Sequence, residues 1–326
     1  MSHRTALLVL ALAAAAAVLV GLAAGSVPIA PGRILSVLVH PGEGAVADIV
    51  WKLRLPRVVA AFSCGALLAY AGVLMQALLR NPLADPYVFG ISGGAALGVM
   101  AGMLVGAGAA AQTALGLGGA VAVALLVLAM GLRSGDWNPY RLLLTGVVVA
   151  AGLNALLSLI LVLAPQAAVK GMLYWLMGDL GYAGDAWPAL LVAALLVAVA
   201  MPLTPAMNVL ALGRLKAQSL GIAAGRVGVA LFAMAAAAAV TSVLVGGTIG
   251  FVGLIVPHLV RLAGIADHRW LLPSSALAGG GLLTLADTVA RSALAPLQLP
   301  VGVLTALIGV PALLLLLGRK QDHAAR

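Results

Sequence analysis

Three residues in this chain have the types and settings that chemistry needs: Ser92 within Gly90-Ile91-Ser92-Gly93-Gly94, His258 after a glycine-rich run, and Asp287 inside an apolar stretch. The first matches Gly-x-Ser-x-Gly, which presents a nucleophilic hydroxyl when it forms a sharp turn between a strand and a helix. Here the flanking residues are apolar at helical length, so the soluble-hydrolase setting is missing. An intramembrane serine protease would pair Ser92 with a histidine from another helix, and His258 is the candidate. The plainer reading bonds the Ser92 hydroxyl to its own helix backbone and gives His258 a hydrogen bond at a helix junction. Asp287 precedes Arg291 by four residues, the spacing of a pair on one helix face. A membrane carboxylate is otherwise a functional candidate. No other predicted helix carries one near mid-bilayer, and an ion-coupled secondary transporter would want more. Five histidines and the single Cys64 give no metal-ligand spacing, and no Gly-x-x-x-x-Gly-Lys-Ser/Thr occurs. No metal site and no cofactor is expected.

The elements that must position these residues are membrane helices. The chain has 326 residues, 63% of them hydrophobic and 8% charged, with a mean hydropathy of +1.17. Soluble domains carry about 25% charged residues, so this chain cannot cover a water-facing surface. Apolar runs long enough to cross a bilayer predict ten helices near 6–24, 55–79, 87–106, 112–132, 142–163, 187–204, 227–246, 249–264, 272–291 and 300–318. The expected fold is all-α, a polytopic membrane protein forming one transmembrane domain over residues 1–326. Residues 6–24 read as a retained first helix rather than a cleaved signal peptide, because many spans follow. With ten helices and the N-terminus inside, twelve Lys and Arg fall on cytoplasmic segments and six outside, so the positive-inside rule puts both termini in the cytoplasm. Anionic lipid explains the net charge of +9, and no nucleic-acid partner is required.

Two breaks interrupt the hydrocarbon. Arg80-Asn81-Pro82-Leu83-Ala84-Asp85-Pro86 reads as an inner-face turn, with Asp85 as an N-cap and Pro86 at the first helical position. It opens a helix with glycine at 90, 94, 98, 102 and 106, a stripe that lets a neighbouring backbone approach closely. The second break runs from Gly246 to His258 through Gly250, Gly253 and Pro257. Such glycine density predicts an unwound or re-entrant element covered by protein. Residues 170–179 are amphipathic enough for a short interfacial helix. Arg54, Arg57 and Arg291 fall on the outer face, against the orientation bias. Three misplaced guanidiniums suggest an anion-docking patch, since arginine grips carboxylates with a rigid fork.

Four stretches together resemble the permease subunits of type II ABC importers, the cobalamin, ferric-siderophore and haem group. They are Arg54-Leu55-Pro56-Arg57; Gln76 with Arg80 to Pro86 and Gly90-Ile91-Ser92; Gly247 to His258 with Arg261; and Leu299-Pro300-Val301-Gly302 with Gly309-Val310-Pro311. Asp267-His268-Arg269 and Ala286 to Arg291 also fit, and the likeness spans roughly residues 50–318. The resemblance implies a homodimer in the bacterial inner membrane, two cytoplasmic ABC ATPase subunits and a periplasmic substrate-binding protein. It implies that Arg54, Arg57 and Arg291 meet acidic residues of the binding protein. It places the ATPase contact in the loop at about 205–226, through Leu210, Leu212, Gly213, Arg214, Ala217, Leu220 and Gly221. Family members often carry acidic residues after that first glycine, where this chain has Arg214 and Lys216. Asn81, Pro82, Asp85, Pro86, Gly90, Ser92, Gly250, Gly253, Pro257 and His258 are then structural or pathway residues. The chain itself is expected to be a transport subunit for an iron chelate or cobalamin and not an enzyme.

Overall fold

A computed structural model describes residues 2–25, 28–40, 44–132, 138–181 and 183–324, with side chains to residue 315. Among the cations counted toward the cytoplasmic excess, Arg133 and Arg326 lie outside the described residues. The described residues form helices and connecting turns. They run α1 (His3–Ala23), α2 (Pro31–Val39), α3 (Ala45–Asp48), a π-helical turn (Ile49–Arg54), α4 (Leu55–Leu79), a 3-10 turn (Pro86–Phe89), α5 (Ile91–Leu104) and α6 (Ala109–Leu132). Then follow α7 (Pro139–Leu163), α8 (Gln166–Leu176), α9 (Trp187–Ala200), α10 (Thr204–Ala211), α11 (Arg214–Ser219), α12 (Ala224–Gly246), α13 (Val252–Leu262), α14 (His268–Ser292) and α15 (Val301–Ala324).

Among the described residues six segments are long and apolar enough to cross a membrane, and three shorter apolar stretches, α5, α13 and Val301–Leu315 of α15, accompany them. With the more polar α14 they occupy the ten expected positions. Bulky apolar side chains such as Leu125, Val148 and Leu191 point outward, as a lipid-facing belt requires. The interfacial helix expected at 170–179 is α8, which begins four residues earlier. Cys64 is fully buried in α4, where it packs as a small core residue.

The central helix is α4. The span from Ala45 to Leu79 is 94% buried in its apolar window, because α14, α12, α13 and α9 surround it. Glycines set how near they come. A Cβ on Gly65 would stand 2.1 Å from the Gly279 carbonyl of α14, and one on Gly72 would stand 1.8 Å from the Gly253 carbonyl of α13. The α5 stripe works the same way: a Cβ on Gly98 would meet the Leu115 carbonyl of α6 at 2.1 Å. Backbone contact of this kind drives membrane helix association where no hydrophobic force acts between helices.

The two breaks correct the sequence reading of helix length. The third helix does not run unbroken from 87 to 106. Arg80, in a left-handed conformation, caps α4, Asn81 Oδ1 takes the Leu83 N–H at 2.9 Å, and Asp85 Oδ1 takes the Tyr87 N–H at 2.8 Å. Gly90 turns the chain at φ +73° before α5 begins. The 14 residues of α5 are about 21 Å long, short of a hydrocarbon layer of about 30 Å. Likewise α13 has only 11 residues and follows the unwound stretch 247–251. The breaks meet, since a Cβ on Gly253 would stand 2.9 Å from Pro86. Each covers backbone that lipid could not satisfy. Gly247, at φ +70°, lies against the Trp175 carbonyl at the end of α8.

Candidate functional site: an arginine cluster and a loop at opposite ends of the central helix

At the N-terminal end of α4 the π-helical turn inserts an extra residue into the helical phase and rotates Arg54 into the protein, where it is 5% exposed. Its Nη1 donates to the Leu22 and Ala23 carbonyls at 2.7 and 2.8 Å. These are the last carbonyls of α1, where the helix dipole favours a cation. Arg291 Nη2 donates to the neighbouring Gly21 carbonyl. Arg57 enters from the first turn of α4 and grips Asp287 with a fork. Its Nε lies 3.1 and 3.0 Å from the two carboxylate oxygens and its Nη2 2.9 Å from Oδ1. Its Nη1 donates to Gln298 Oε1 at 2.6 Å.

The expected pair within α14 is thus secondary. Arg291 Nε stands 3.8 Å from Asp287 Oδ2, beyond hydrogen-bond range, and Arg57 is the close partner. The reason is geometric: a carboxylate accepts two parallel N–H bonds from a guanidinium that approaches in its plane, and Arg57 crosses to α14 in that orientation. The three arginines line one cavity. It has a volume of about 510 Å³ and is lined also by Gly25, Lys52, Leu53, Gly181 and Gln298. Their guanidiniums lie at its floor rather than on an open surface, with Arg57 and Arg291 side chains 12% and 8% exposed. Lys52, 74% exposed and paired with Asp48, stands at the rim. Sequence reading missed Gln298 and the α1 carbonyls. Nothing local signals either, because both contacts close across distant parts of the chain.

At the opposite end of α4, the loop at 205–226 folds as α10 and α11 joined at Gly213, whose φ of +117° suits glycine. A Cβ there would stand 3.7 Å from Arg80 Nη1. Leu212, Leu215 and Leu220 are 61%, 84% and 61% exposed, while Ala217 is buried and Leu210 packs on the core. Gly221 turns the chain at φ +78° toward α12. The α9–α10 span has 25 residues, about 37 Å of helix, so α11 projects beyond the hydrocarbon. Asn208 ties α10 to α14, donating to Asp267 Oδ1 at 2.7 Å and accepting the His268 N–H at 3.0 Å. Asp267, in the preceding turn, has its carboxyl held below the usual carboxylate range, first by the Asn208 amide and then by the Arg269 N–H. The sequence marked Asp267-His268-Arg269 only through the family resemblance, and nothing in it marked Asn208.

In the last turn of α4, close to the loop end, Gln76 donates to the Leu254 carbonyl at 3.1 Å and accepts from Arg261. It joins α4 to the first and last turns of α13. His258 is buried in α13 beside Pro257, which the helix tolerates in its interior. Ser92 is half-buried in the first turn of α5 and hydrogen-bonds to none of the described side chains. The Ser92–His258 pairing that proteolysis would need is not formed. Among the described residues no group of His, Cys, Asp or Glu could hold a metal.

Residues 11–319 match the FecCD transport family. The vitamin B12 import system permease protein BtuC of Escherichia coli O127:H6 (strain E2348/69 / EPEC) is 40% identical over 306 residues, covering 92% of this chain and 91% of its own length. BtuC of Escherichia coli O17:K52:H18 (strain UMN026 / ExPEC) is 39% identical over 287 residues, with coverages of 86% and 87%. A solved structure of a metal-chelate type ABC transporter in an inward-facing conformation matches with a TM-score of 0.83 at 27% identity, covering 97% of this chain and 99% of that one.

Proposed function

The chain belongs to the FecCD transport family and is the permease subunit of a type II ABC importer, and on that premise we propose that its cargo is a corrinoid of the vitamin B12 class. It is a multi-pass inner-membrane protein and a transport component rather than an enzyme, and it works with ATPase and substrate-binding partners. The observation that carries the cargo is the 40% identity across 92% of the chain to proteins that import vitamin B12. Ferric siderophores and haem, cargoes of the same importer group, are the competitors.

In this reading the chain is one transmembrane domain that works as a homodimer, with both termini cytoplasmic and lipid around its apolar belt. The exposed Leu307, Ile308, Leu314 and Leu315 of α15 face the second copy or the path between the copies. The arginine end is periplasmic, and acidic residues of the loaded binding protein enter the cavity above Arg54, Arg57 and Arg291. Two such patches on a dimer act together through effective concentration, so each can be weak. The loop end is cytoplasmic, and α10 and α11 sit on the ATPase through Leu210, Leu212, Gly213, Arg214, Ala217, Leu220 and Gly221. ATP-driven movement of this loop reaches α14 through Asn208 and Asp267, and α4 through Arg80. Those two helices hold the Arg57–Asp287 fork at their other ends. Rocking of helix groups about the two breaks then opens the path alternately to either side. Asn81, Pro82, Asp85, Pro86, Gly90, Gly250, Gly253 and Pro257 shape these breaks.

The test is transport. Proteoliposomes containing this chain, its ATPase and the loaded binding protein should accumulate cyanocobalamin when ATP is supplied to the ATPase side. Accumulation of a ferric siderophore or haem with no corrinoid uptake would overturn the cargo.

A further inference from the structure

We propose that Asp287 is a positioning residue for binding-protein docking: it holds Arg57 in the pose in which a carboxylate of the partner meets it. The inference rests on the docking reading above and adds a residue to it. Asp287 is 1% exposed and cannot itself reach a docked protein. It occupies Arg57 Nε and one edge of Nη2, while Gln298 takes Nη1. The guanidinium is therefore fixed at two points, in a plane set by α14 and the 293–299 turn, at the floor of the cavity of about 510 Å³.

Three observations favour positioning over simple stability. A buried ion pair returns little net stability, because desolvation of both charges offsets their attraction. Two guanidiniums, Arg57 and Arg291, share this one carboxylate, so Asp287 does not neutralise both and positive charge is left facing the cavity. Arginine also gives up little further freedom on binding a carboxylate when its fork is already oriented, and preorganisation of that kind lowers the cost of association. An arginine lacking the aspartate would be free to turn toward the α1 carbonyls that already hold Arg54 and Arg291.

The experiment is a double-mutant cycle on the assembled importer, with the cyanocobalamin-loaded binding protein as the probe. Arg57→Gln, Asp287→Asn and the double variant are compared by equilibrium binding, with thermal unfolding recorded for each. Asp287→Asn should weaken docking about ten-fold, and the double variant should dock no more weakly than Arg57→Gln alone, since Asp287 acts through Arg57. Asp287→Glu, which restores the charge, should recover part of the loss. Equal losses from Asp287→Asn in the presence and absence of Arg57, or docking unchanged by Asp287→Asn, would overturn the proposal. If Asp287→Asn does not assemble, Gln298→Leu keeps the buried pair and frees Nη1. It should weaken docking only while Arg57 is present, and a loss that persists in the Arg57→Gln background, or no loss at all, overturns the proposal. Docking unchanged by Arg57→Gln would instead refute the docking reading on which this one rests.

Discussion

Gly65→Ala is expected to loosen the arginine cluster from two helical turns away. A Cβ at position 65 would stand 2.1 Å from the Gly279 carbonyl and 2.8 Å from Leu283 Cβ. Ordinary contact begins at 3.4 Å, so α4 and α14 must part locally by about 1.3 Å (3.4 − 2.1). The Arg57–Asp287 fork joins the same two helices eight residues along each, since 65 − 57 and 287 − 279 are equal. Its three contacts of 2.9 to 3.1 Å would stretch to about 4.2–4.4 Å if the separation carried through, beyond hydrogen-bond range. Overpacking costs about 1–3 kcal/mol, and breaking a buried ion pair about 3–5 kcal/mol. Alanine regains about 1 kcal/mol of helix propensity over glycine, which falls short of the two costs together. The variant should therefore unfold at lower temperature in detergent and dock the binding protein more weakly. Gly152→Ala in α7, where the added methyl meets open space, is the control and should match the parent. Normal melting and normal docking by Gly65→Ala would refute the view that this glycine contact sets the geometry of the cluster.

Other perturbations separate the remaining parts of the account. The segment from Pro205 to Arg226 carries Arg214, Lys216 and Arg226 and no acidic residue, so Arg214→Glu with Lys216→Glu should weaken ATPase association about ten- to a hundred-fold without changing docking of the binding protein. A salt titration of the copurified complex reads this, and an unchanged midpoint would leave the exposed leucines as the whole contact. Gln76→Leu strands the Leu254 carbonyl and the Arg261 guanidinium together, which should cost about 1–3 kcal/mol in thermal or denaturant unfolding; an unchanged transition would show that other groups replace it. Because the Asp267 carboxyl titrates below its ordinary 3.8 in the folded protein, its contribution is complete above that value and is lost as pH falls through the lower, folded value. Asp267→Asn should remove that part of the acid limb, and melting curves of both proteins at neutral pH and at about pH 3 would detect it; identical acid limbs would contradict the clamp.

The sequence made the helices legible because a bilayer imposes length and apolarity directly, and the breaks legible because glycine and proline cannot hide in hydrocarbon. It identified Arg54, Arg57 and Arg291 as a group from their position against the charge bias. It could not show that Arg54 faces inward, since that depends on one π-helical turn at Ile49–Arg54. Nor could it choose between Arg291 and Arg57 as the partner of Asp287. The local spacing favoured the residue four positions away, and the observed partner lies 230 positions away. The shortness of α5 was obscured because Pro86–Phe89 is as apolar as the helix it precedes, and hydropathy does not distinguish a 3-10 turn held by Asp85 from a further α-turn. The Asn208 clamp lay beyond reach for the reason that applies to Gln298: an exposed-looking amide gives no sign of its partner.

The polarity of the two ends carries the whole functional account, and site-specific photocrosslinking in the assembled importer tests it most directly. One probe replaces Lys52, which stands at the rim of the arginine cavity, and another replaces Leu215, the 84% exposed residue of α11. The Lys52 probe should capture the cyanocobalamin-loaded binding protein and the Leu215 probe the ATPase. Capture of the ATPase from position 52, or of the binding protein from position 215, would contradict that polarity.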